Sequence, residues 1–508
     1  MKATEYRRYD AVGLAALIAN REISAPEALE AAIRQTEALN PALNAVVHTT
    51  YDRARRLAQA ALPATPLAGV PFMLKDLGQL WEGVPTTSGS RALLDFIAPF
   101  TTTLTSRYLG GGLVILGKTS TPEFGMASVT EPAVHGPTHN PWAPGITAGG
   151  SSGGSASVVA AGVVPAAHAS DGGGSIRIPS SACGLVGLKP TRGRNPVGPV
   201  MSEGWYGLAA SHVVTRTVRD SAAFLDLSHG PEAGDPYAAP PPDGPYRQAA
   251  QAPHRSLRIG VVEGAMTGDV DLDPECLLAV DRTVSLLEEL GHRVERVSTG
   301  IGPGPGRRAM LTLSAVDTAW MVETFDVDVS KLEPANQVVV EAGKTVSATD
   351  FADNLYLVRH YGRIMGRIME DHDVLVTSTL ATPPWPHFAL QPGAEQRERI
   401  AALLEGRYTG SAFELMEELA TKSMNRIPNT WPFNMTGQPA MSLPIHRAES
   451  GHPVGVQFVG RFGREDTLFN LAAQLEKARP WIQDYPFMDP GTPQWAEADH
   501  RAQSGRPE

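Results

Sequence analysis

Two serines set among glycines are the residues of this sequence best suited to covalent chemistry. Ser151 lies in GGSSGG at 149–154, and Ser175 ends DGGGS at 171–175, 24 positions later. A serine hydroxyl attacks a carbonyl only when a base removes its proton, and the oxyanion that forms requires hydrogen-bond donors. Glycine lets backbone N–H groups approach a bound group closely. The two stretches therefore predict an active site, with the glycines before Ser175 as an oxyanion hole.

Lys75 is a third candidate, because it ends the apolar run AGVPFMLKD. Val70, Phe72 and Leu74 alternate along this run, which predicts a strand with Lys75 on the opposite face from them. A lysine at a strand end commonly extends its ammonium group to solvent. Alternatively, a desolvated amine stays neutral and acts as a base. The pattern alone leaves both interpretations open.

Phosphate and metal sites fit the sequence less well. The letters at 112–119 match G-x-x-x-x-G-K-[ST], but the interior is bulky and apolar and Pro122 follows where a helix is required. We therefore predict a buried strand there. His135 and His139 are separated by Gly-Pro, which prevents the helix of an H-E-x-x-H site. Ordinary hydrogen bonds are expected for both histidines.

Other serine mechanisms can also be compared with the sequence. Residues 150–154 contain the letters G-x-S-x-G, but the preceding stretch is not the strand that a nucleophile elbow requires. The chain contains no S-x-x-K motif. A Ser-His-Asp triad stays open, since its members can be far apart in sequence. His168 is near Ser175 along the chain, but it lies in a predicted strand and is interpreted as structural.

Taken together, these motifs resemble the amidase signature family of serine hydrolases. The match is carried by GGSSGGS at 149–155, DGGGSIRIP at 171–179, CGLVGLKPT at 183–191 and GVPFMLKD at 69–76. The resemblance extends from about residue 10 to 485, with the signature core at 69–191. It implies one α/β domain over 1–508, in which helices cover both faces of a mixed, mostly parallel sheet.

Carried over by position, the resemblance implies Ser175 as nucleophile, Lys75 as base and Ser151, after a cis peptide bond from Gly150, as the serine between them. Gly172 departs from the family pattern, because many members carry a larger residue there, and its small size could loosen the oxyanion hole. The further residues implied are the oxyanion donors Gly172, Gly173, Gly174 and Ser175, the supporting residues Asp171, Arg177, Ser152 and Gly150, and the substrate-binding residues Phe124, Gly125, Met126 and Ala127.

The resemblance implies a hydrolase that cleaves a C–N amide or carbamate bond of a small, partly apolar, non-peptide substrate. The route would be a Ser-cisSer-Lys acyl-enzyme mechanism with esterase side activity and with neither cofactor nor metal. TEP at 130–132, HNPW at 139–142 and GRED at 463–466 resemble the branch acting on cyclic amide oligomers and synthetic amides. The alternative is the glutaminase subunit of a tRNA-dependent amidotransferase. A homodimer is left open.

The composition is that of an ordinary globular protein. Of 508 residues, 42% are apolar and 19% charged, and the net charge of −11 argues against nucleic-acid or anionic-membrane partners and, mildly, against the amidotransferase alternative. The first ten residues lack a secretory apolar region, and no run of about 18 apolar residues occurs, so a cytoplasmic protein is expected. Cys183 and Cys276 are expected in the core, although one bridge between them is formally open.

Strands and helices alternate around these motifs. A capping box predicts a helix over 24–39, and strand, helix and strand over 258–297 predict a parallel sheet with helical cover. Proline-rich residues 230–254 are expected to form a surface connection. Residues 310–425 are mainly helical in pattern, and together with the loop 124–135 they are expected to cover a substrate pocket, with plain scaffold as the alternative for 310–425.

Overall fold

The structure is a computed structural model that describes residues 1–267, 270–301, 303–482 and 485. Its centre is an eleven-stranded sheet with the strand order β1-β3-β2-β6-β8-β7-β12-β13-β11-β9-β10, accompanied by a separate β4-β5 hairpin. The strands are β1 (Val46–Thr49), β2 (Pro71–Lys75), β3 (Val114–Thr119), β4 (His139–Asn140), β5 (Ala143–Thr147), β6 (Ala166–Asp171), β7 (Val186–Lys189), β8 (Ala210–Thr215), β9 (Arg258–Val262), β10 (Arg293–Val297), β11 (Val374–Ser378), β12 (Ala440–Arg447) and β13 (Pro453–Gly460).

Helices connect most of these strands. They are α1 (Ala3–Tyr6), α2 (Ala11–Ala19), α3 (Ala25–Leu43), α4 (Tyr51–Gln59), α5 (Thr103–Gly110), α6 (Gly153–Ala160), α7 (Arg177–Cys183), α8 (Val218–Ser228), α9 (Tyr246–Gln251), α10 (Pro274–Glu289), α11 (Pro303–Thr324), α12 (Pro334–Thr345), α13 (Ala348–Asp371), α14 (Ala394–Leu404), α15 (Ala412–Arg426), α16 (Pro432–Thr436) and α17 (Glu465–Ala478). Short 3-10 turns occur at Arg91–Leu93, Glu123–Gly125, Trp205–Gly207 and Val329–Lys331.

Parallel and antiparallel pairing are segregated within the sheet. Strands β3, β2 and β6 pair in parallel on one flank, and β11, β9 and β10 do so on the other. The pairs between these flanks, and the edge pair of β1 with β3, are antiparallel. The predicted α/β class with a mixed sheet is confirmed. Fewer of the strand pairs are parallel than expected, because β8, β12 and β13 run between the flanks as antiparallel neighbours.

Alternating apolar side chains supply a core on each face of the sheet. On β2, Phe72 and Leu74 pack with Tyr108 and Phe224, whereas Met73 belongs to the cluster formed with α3, α6, α10 and α17. On β11, the side chain of Leu375 belongs to a third cluster, which includes residues of α11 and α13. Successive strand residues point to opposite faces, so burial on both sides requires helices on both sides. The predicted helical cover on both faces is confirmed.

Two segments contain elements that their sequence patterns did not predict. Residues 230–254 include the helix α9, and its Tyr246 is buried against Phe469 of α17. This part of the predicted surface connection is therefore packed onto the domain. Residues 310–425 are mainly helical as predicted, but the buried strand β11 interrupts the helices and joins the sheet.

The predictions for several other motifs are confirmed. The letters of a phosphate-binding loop belong largely to β3, whose six residues are all buried. The capping box of Ser24 and Glu27 starts α3. Both cysteines are buried and free. Among the described residues, no helix combines the length and apolar character needed to cross a lipid bilayer.

Gly154 lies in the first turn of α6, where the helix packs on backbone. A Cβ atom at this position would lie 2.4 Å from the N and 2.6 Å from the O of Ser120. We expect Gly154→Ala to lower the free energy of unfolding by about 1–3 kcal/mol through overpacking. Gly366 of α13 is the matched control, because a Cβ there meets nothing within 4 Å. Gly366→Ala should raise stability by about 0.5–1 kcal/mol. Urea unfolding measures both, and equal effects would contradict this packing.

Candidate active site

The amine of Lys75 is enclosed by hydroxyl groups. Its Nζ lies 2.7 Å from Ser151 Oγ and 3.0 Å from Ser170 Oγ. The Lys75 side chain is fully buried at the end of β2, and Ser151 is 2% exposed. Of the two interpretations left open by the sequence, the solvated lysine is therefore wrong. Ser170 was not among the predicted site residues, although it directly precedes the second glycine stretch.

Burial determines the charge of this lysine. Desolvation lowers the pKa of Lys75 to about 7, while the more distant negative charge of Asp171 acts in the opposite direction. A substantial fraction of the amine is therefore neutral at neutral pH and has a free lone pair. This is the form that can accept a proton from a serine hydroxyl.

The two serine stretches are joined by short backbone contacts. The peptide bond between Gly150 and Ser151 is cis, as the resemblance implied. Ser152 N–H donates to the carbonyl oxygen of Ser175 at 3.3 Å, and Ser152 Oγ lies 3.2 Å from the carbonyl oxygen of Ser170. Ser152 thus connects the start of α6 to the end of β6. This contact brings the stretch that carries Ser151 to the stretch that carries Ser175.

The loop after β6 is held by a fully buried ion pair. Arg177 Nε donates to Asp171 Oδ2 and Arg177 Nη2 donates to Asp171 Oδ1, both at 2.9 Å. Burial alone would raise the pKa of Asp171, but the charge and hydrogen bonds of Arg177, with a hydrogen bond from Asn434, hold it at about 2. Asp171 is therefore ionised across the physiological range. Its position agrees with the supporting role that the resemblance implied.

Residues from the C-terminal part complete this buried network. Arg177 Nη1 donates to Thr430 O and to Gln457 Oε1, each at 2.7 Å. Asn434 accepts from Arg177 Nη2 at 2.7 Å and donates to Asp171 Oδ1 at 2.8 Å. The sequence patterns predicted none of these three C-terminal residues. Asn434 and Gln457 are polar residues within the apolar runs PFNMTG and VGVQFVG, but this pattern does not indicate their partners.

One expectation about the oxyanion hole needs correction. Gly174 N–H donates to Asp171 Oδ1 at 2.7 Å, so it is directed into the loop rather than toward a bound carbonyl. Gly172 and Gly173 are partly exposed, whereas Gly174 and Ser175 are buried, Ser175 at 9% exposure. The N–H groups of Gly172, Gly173 and Ser175 remain as the candidate donors.

The predicted substrate-binding residues 124–127 differ in burial and in their distance from Ser151. Phe124 is buried and packs with apolar residues of α11. Gly125 lies against the site, because a Cβ atom there would be 3.1 Å from Ser151 Oγ. Met126 and Ala127 are partly exposed. Of the four predicted residues, these two are the ones that are not buried.

The residues that follow Ala127 hold the first serine stretch, 149–154, by hydrogen bonds and close packing. Thr130 Oγ1 donates to Gly149 O at 2.9 Å and accepts from Gly153 N–H at 3.1 Å. The α-carbon of Gly150 lies against Val129, since a Cβ atom would be 2.6 Å from its carbonyl carbon. The TEP motif that begins at Thr130 thus acts as scaffold around Ser151.

His135 and His139 contact side chains outside the two serine stretches, and His168 lies in the core. His135 Nε2 lies 3.1 Å from Thr87 Oγ1, and His139 Nδ1 lies 3.1 Å from His387 Nε2, so the first two do not converge. His168 is fully buried, and neither of its ring nitrogens has a hydrogen-bond partner among the described residues. Burial and the charges of Lys75 and Lys118 hold the pKa of His168 well below its usual range. A triad through His168 is excluded.

The whole arrangement spans most of the chain, and so does the match to a known family. The Amidase family model matches residues 27–469. The chain belongs to the amidase family. The resemblance drawn from the two serine stretches and the lysine strand is therefore confirmed, as is the expectation that the protein is an amidase.

Curated relatives of this amidase cover nearly its full length. The 6-aminohexanoate-cyclic-dimer hydrolase of Pseudomonas sp. (strain NK87) is 38% identical over 491 residues, which are 94% of this chain and 96% of that protein. The acylamidase of Rhodococcus erythropolis is 34% identical over 490 residues, with 94% and 96% coverage. The similarity to enzymes of cyclic and synthetic amides, indicated by the TEP, HNPW and GRED motifs, is confirmed.

The solved structure of a 6-aminohexanoate cyclic dimer hydrolase is also similar to this amidase. It superposes with a TM-score of 0.87 at 36% sequence identity, covering 94% of this chain and 98% of that chain. Fold and sequence similarity therefore agree over the same span.

Removing the buried guanidinium of this amidase tests the network around Asp171. Arg177→Met should lower the free energy of unfolding by about 3–5 kcal/mol, because the Asp171 carboxylate is left buried without its counter-charge. Arg308 is the matched control, since its ion pair with Glu417 is exposed. Arg308→Met should cost at most about 1 kcal/mol. Urea unfolding compares the two, and similar losses would contradict the role assigned to Arg177.

Proposed function

We propose that this amidase hydrolyses the C–N bond of small non-peptide amides through an acyl-enzyme on Ser175, with Ser151 and Lys75 as the proton relay. The observation that carries this proposal is the buried Lys75 Nζ at 2.7 Å from Ser151 Oγ. A desolvated amine with a pKa of about 7 is matched to proton transfer near neutral pH. The cis peptide and the contact of Ser152 with Ser175 support the same assignment.

The proposed reaction moves one proton along the relay in each direction. Neutral Lys75 accepts the proton of Ser151 Oγ, Ser151 accepts that of Ser175, and Ser175 Oγ forms a bond to the carbonyl carbon. The tetrahedral intermediate then collapses, the C–N bond breaks, and the departing nitrogen receives the proton back through Ser151. Water repeats the sequence on the ester, so that Ser175 and the acid are released.

The developing oxyanion would be bound by backbone donors. We assign this role to the N–H groups of Gly172, Gly173 and Ser175, because Gly174 N–H is engaged by Asp171. Preorganised donors of this kind lower the barrier of acyl transfer substantially. The Asp171–Arg177 pair acts indirectly, by fixing the loop that presents them.

The proposed substrates are small amides with an apolar portion, with carbamates and esters as further substrates. Relatives named for a cyclic amide dimer and for acylamides support an amide that is not a peptide. The partly exposed Met126 and Ala127 and the neighbouring glycines offer an apolar surface with few charges. An ester differs from the amide in its leaving group, whereas a carbamate keeps the C–N bond and carries an alkoxy or aryloxy group on the carbonyl carbon. Both offer Ser175 a carbonyl carbon to attack.

A substrate panel tests this proposal. We expect p-nitroanilides, alkyl amides, cyclic amides and aryl carbamates to be hydrolysed by the purified chain alone, measured as kcat/KM. Glutamine is the contrasting substrate. Activity confined to glutamine and dependent on an added partner protein would instead identify an amidotransferase subunit.

Ser175→Ala should abolish turnover of every substrate in the panel, because no other hydroxyl occupies the nucleophile position. A fluorophosphonate should label wild-type enzyme at Ser175, and peptide mass spectrometry locates the adduct. Ser450 is an exposed control, and Ser450→Ala should retain wild-type kcat/KM. An adduct on another serine, or turnover by Ser175→Ala, would refute the assignment.

The pKa of Lys75 predicts an acid limb in the pH profile. Since the neutral amine is the base and its pKa is lowered to about 7, kcat/KM should fall about tenfold per pH unit below that value and level off above it. Lys75→Ala should lose at least about a hundredfold in kcat/KM, whereas the exposed control Lys344→Ala should not change. A flat profile between pH 5.5 and 8 would argue against Lys75 as the base.

A further inference from the structure

The indole ring of Trp205 lies against the glycine stretch beside Ser175. A Cβ atom on Gly172 would be 2.7 Å from both Cε3 and Cζ3 of Trp205, which is too close for any side chain. The ring therefore occupies the space that a larger residue at position 172 would fill. Gly172 and Trp205 are both partly exposed, so this contact lies at the surface of the loop and not in the core.

The backbone that carries this ring has an uncommon conformation. Trp205, Tyr206 and Gly207 have consecutive φ values of 50°, 53° and 83°. Left-handed conformations of aromatic residues persist only where the surrounding structure holds them, and they are concentrated at functional sites. Here the carboxyl group of Asp317 on α11 interacts with the backbone of Trp205, and Arg192 Nε donates to Gly207 O. The turn that carries the ring is thus held by two neighbouring side chains.

Met310 is a second apolar side chain that lies against the glycine stretch, next to Gly173. A Cβ atom on Gly173 would be 2.7 Å from Cε of Met310. Met310 and Asp317 are seven residues apart on α11, so they project from the same face of that helix. Helix α11 therefore supplies Met310 directly and secures Trp205 through Asp317. Trp205 and Met310 belong to one apolar cluster.

We propose that Trp205 is a specificity-determining residue whose ring binds the apolar acyl chain of the substrate. This inference rests on the proposed acyl-enzyme at Ser175. The ring lies beside Gly172 and Met310 lies beside Gly173. The N–H groups of these two glycines are candidate oxyanion donors, so an acyl chain extending from the bound carbonyl meets the ring. The amidase is then selective for amides of medium aliphatic acids over acetamides. The acyl chain, unlike the leaving group, stays on the enzyme through both chemical steps.

A series of acyl p-nitroanilides with acetyl, butanoyl, hexanoyl and octanoyl groups tests this assignment, since the leaving group is constant. In the wild type, kcat/KM should rise with chain length to hexanoyl. Trp205→Ala should reduce kcat/KM for the hexanoyl substrate at least about tenfold more than for the acetyl substrate, because each buried methylene contributes roughly fourfold and two of the four additional methylenes already give roughly sixteenfold. Trp205→Phe, which keeps a smaller aromatic face, should show an intermediate loss. Trp320 of α11 is exposed, and Trp320→Ala should leave the chain-length dependence unchanged.

A double-mutant cycle gives a second measurement that does not depend on Trp205→Ala alone. Gly172→Ala should lower kcat/KM for all four substrates, since the new methyl group displaces the ring or the loop. The same change in Trp205→Ala or Trp205→Phe should be markedly less harmful. Equal losses in all backgrounds would overturn the proposed contact.

The outcomes separate this inference from the proposed function. Hydrolysis of the series and fluorophosphonate labelling at Ser175 in wild-type enzyme establish the reaction independently of Trp205. If both hold and Trp205→Ala or Trp205→Phe keeps the wild-type chain-length dependence, Trp205 is not a specificity residue. If the wild type hydrolyses no member and is not labelled, the acyl-enzyme proposal itself is wrong.

Discussion

The ion pair of Arg177 with Asp171 is the interaction on which the site depends. All five N–H groups of the fully buried guanidinium are used, two on Asp171 and three on Thr430, Gln457 and Asn434. A buried charge is tolerable only when its hydrogen bonds are complete, so every one of these partners is required at once. Because Thr430 also donates to Gly173 O, the same network holds the backbone of the loop that carries Ser175 from both sides.

This pairing also explains how a lysine in the same site can be neutral. Asp171 is the negative charge that acts on the pKa of Lys75, and its oxygens are occupied by Arg177, Asn434 and backbone N–H groups. Lys75 is left with hydroxyl partners, so its desolvation is not compensated. Lys118 on the neighbouring strand is equally buried, but it lies 3.7 Å from Asp76 and keeps a pKa of about 8. The pKa of Lys75 is thus lowered because the amine is buried and its hydrogen bonds go to hydroxyl groups and not to a carboxylate.

Local sequence was sufficient for the parts of the site that are continuous in the chain. The glycine stretches, the strand-end lysine and the βαβ unit over 258–297 are each specified by neighbouring residues and were predicted. The network partners Asn434 and Gln457 were not, because their roles arise from tertiary pairing more than 250 positions away. Strand β11 was hidden in a helical region for the same reason, and Gly174 was assigned a free N–H because its bond to Asp171 depends on the loop's conformation.

The positions of the network partners along the chain limit which segments can be exchanged between homologues. The hydroxyls and the amine proposed to react come from residues 75–175, as do Met126 and Ala127, whereas α11 and the Trp205 turn, which would shape selectivity, come from later segments. Part of the proposed substrate surface is therefore encoded apart from the proposed bond-breaking residues, and exchange of α11–α15 between homologues is a natural route to new selectivity. The junction must fall before Thr430, because Thr430 and Asn434 are hydrogen-bonded to the loop that carries Ser175 and belong with it and not with the helices that precede them.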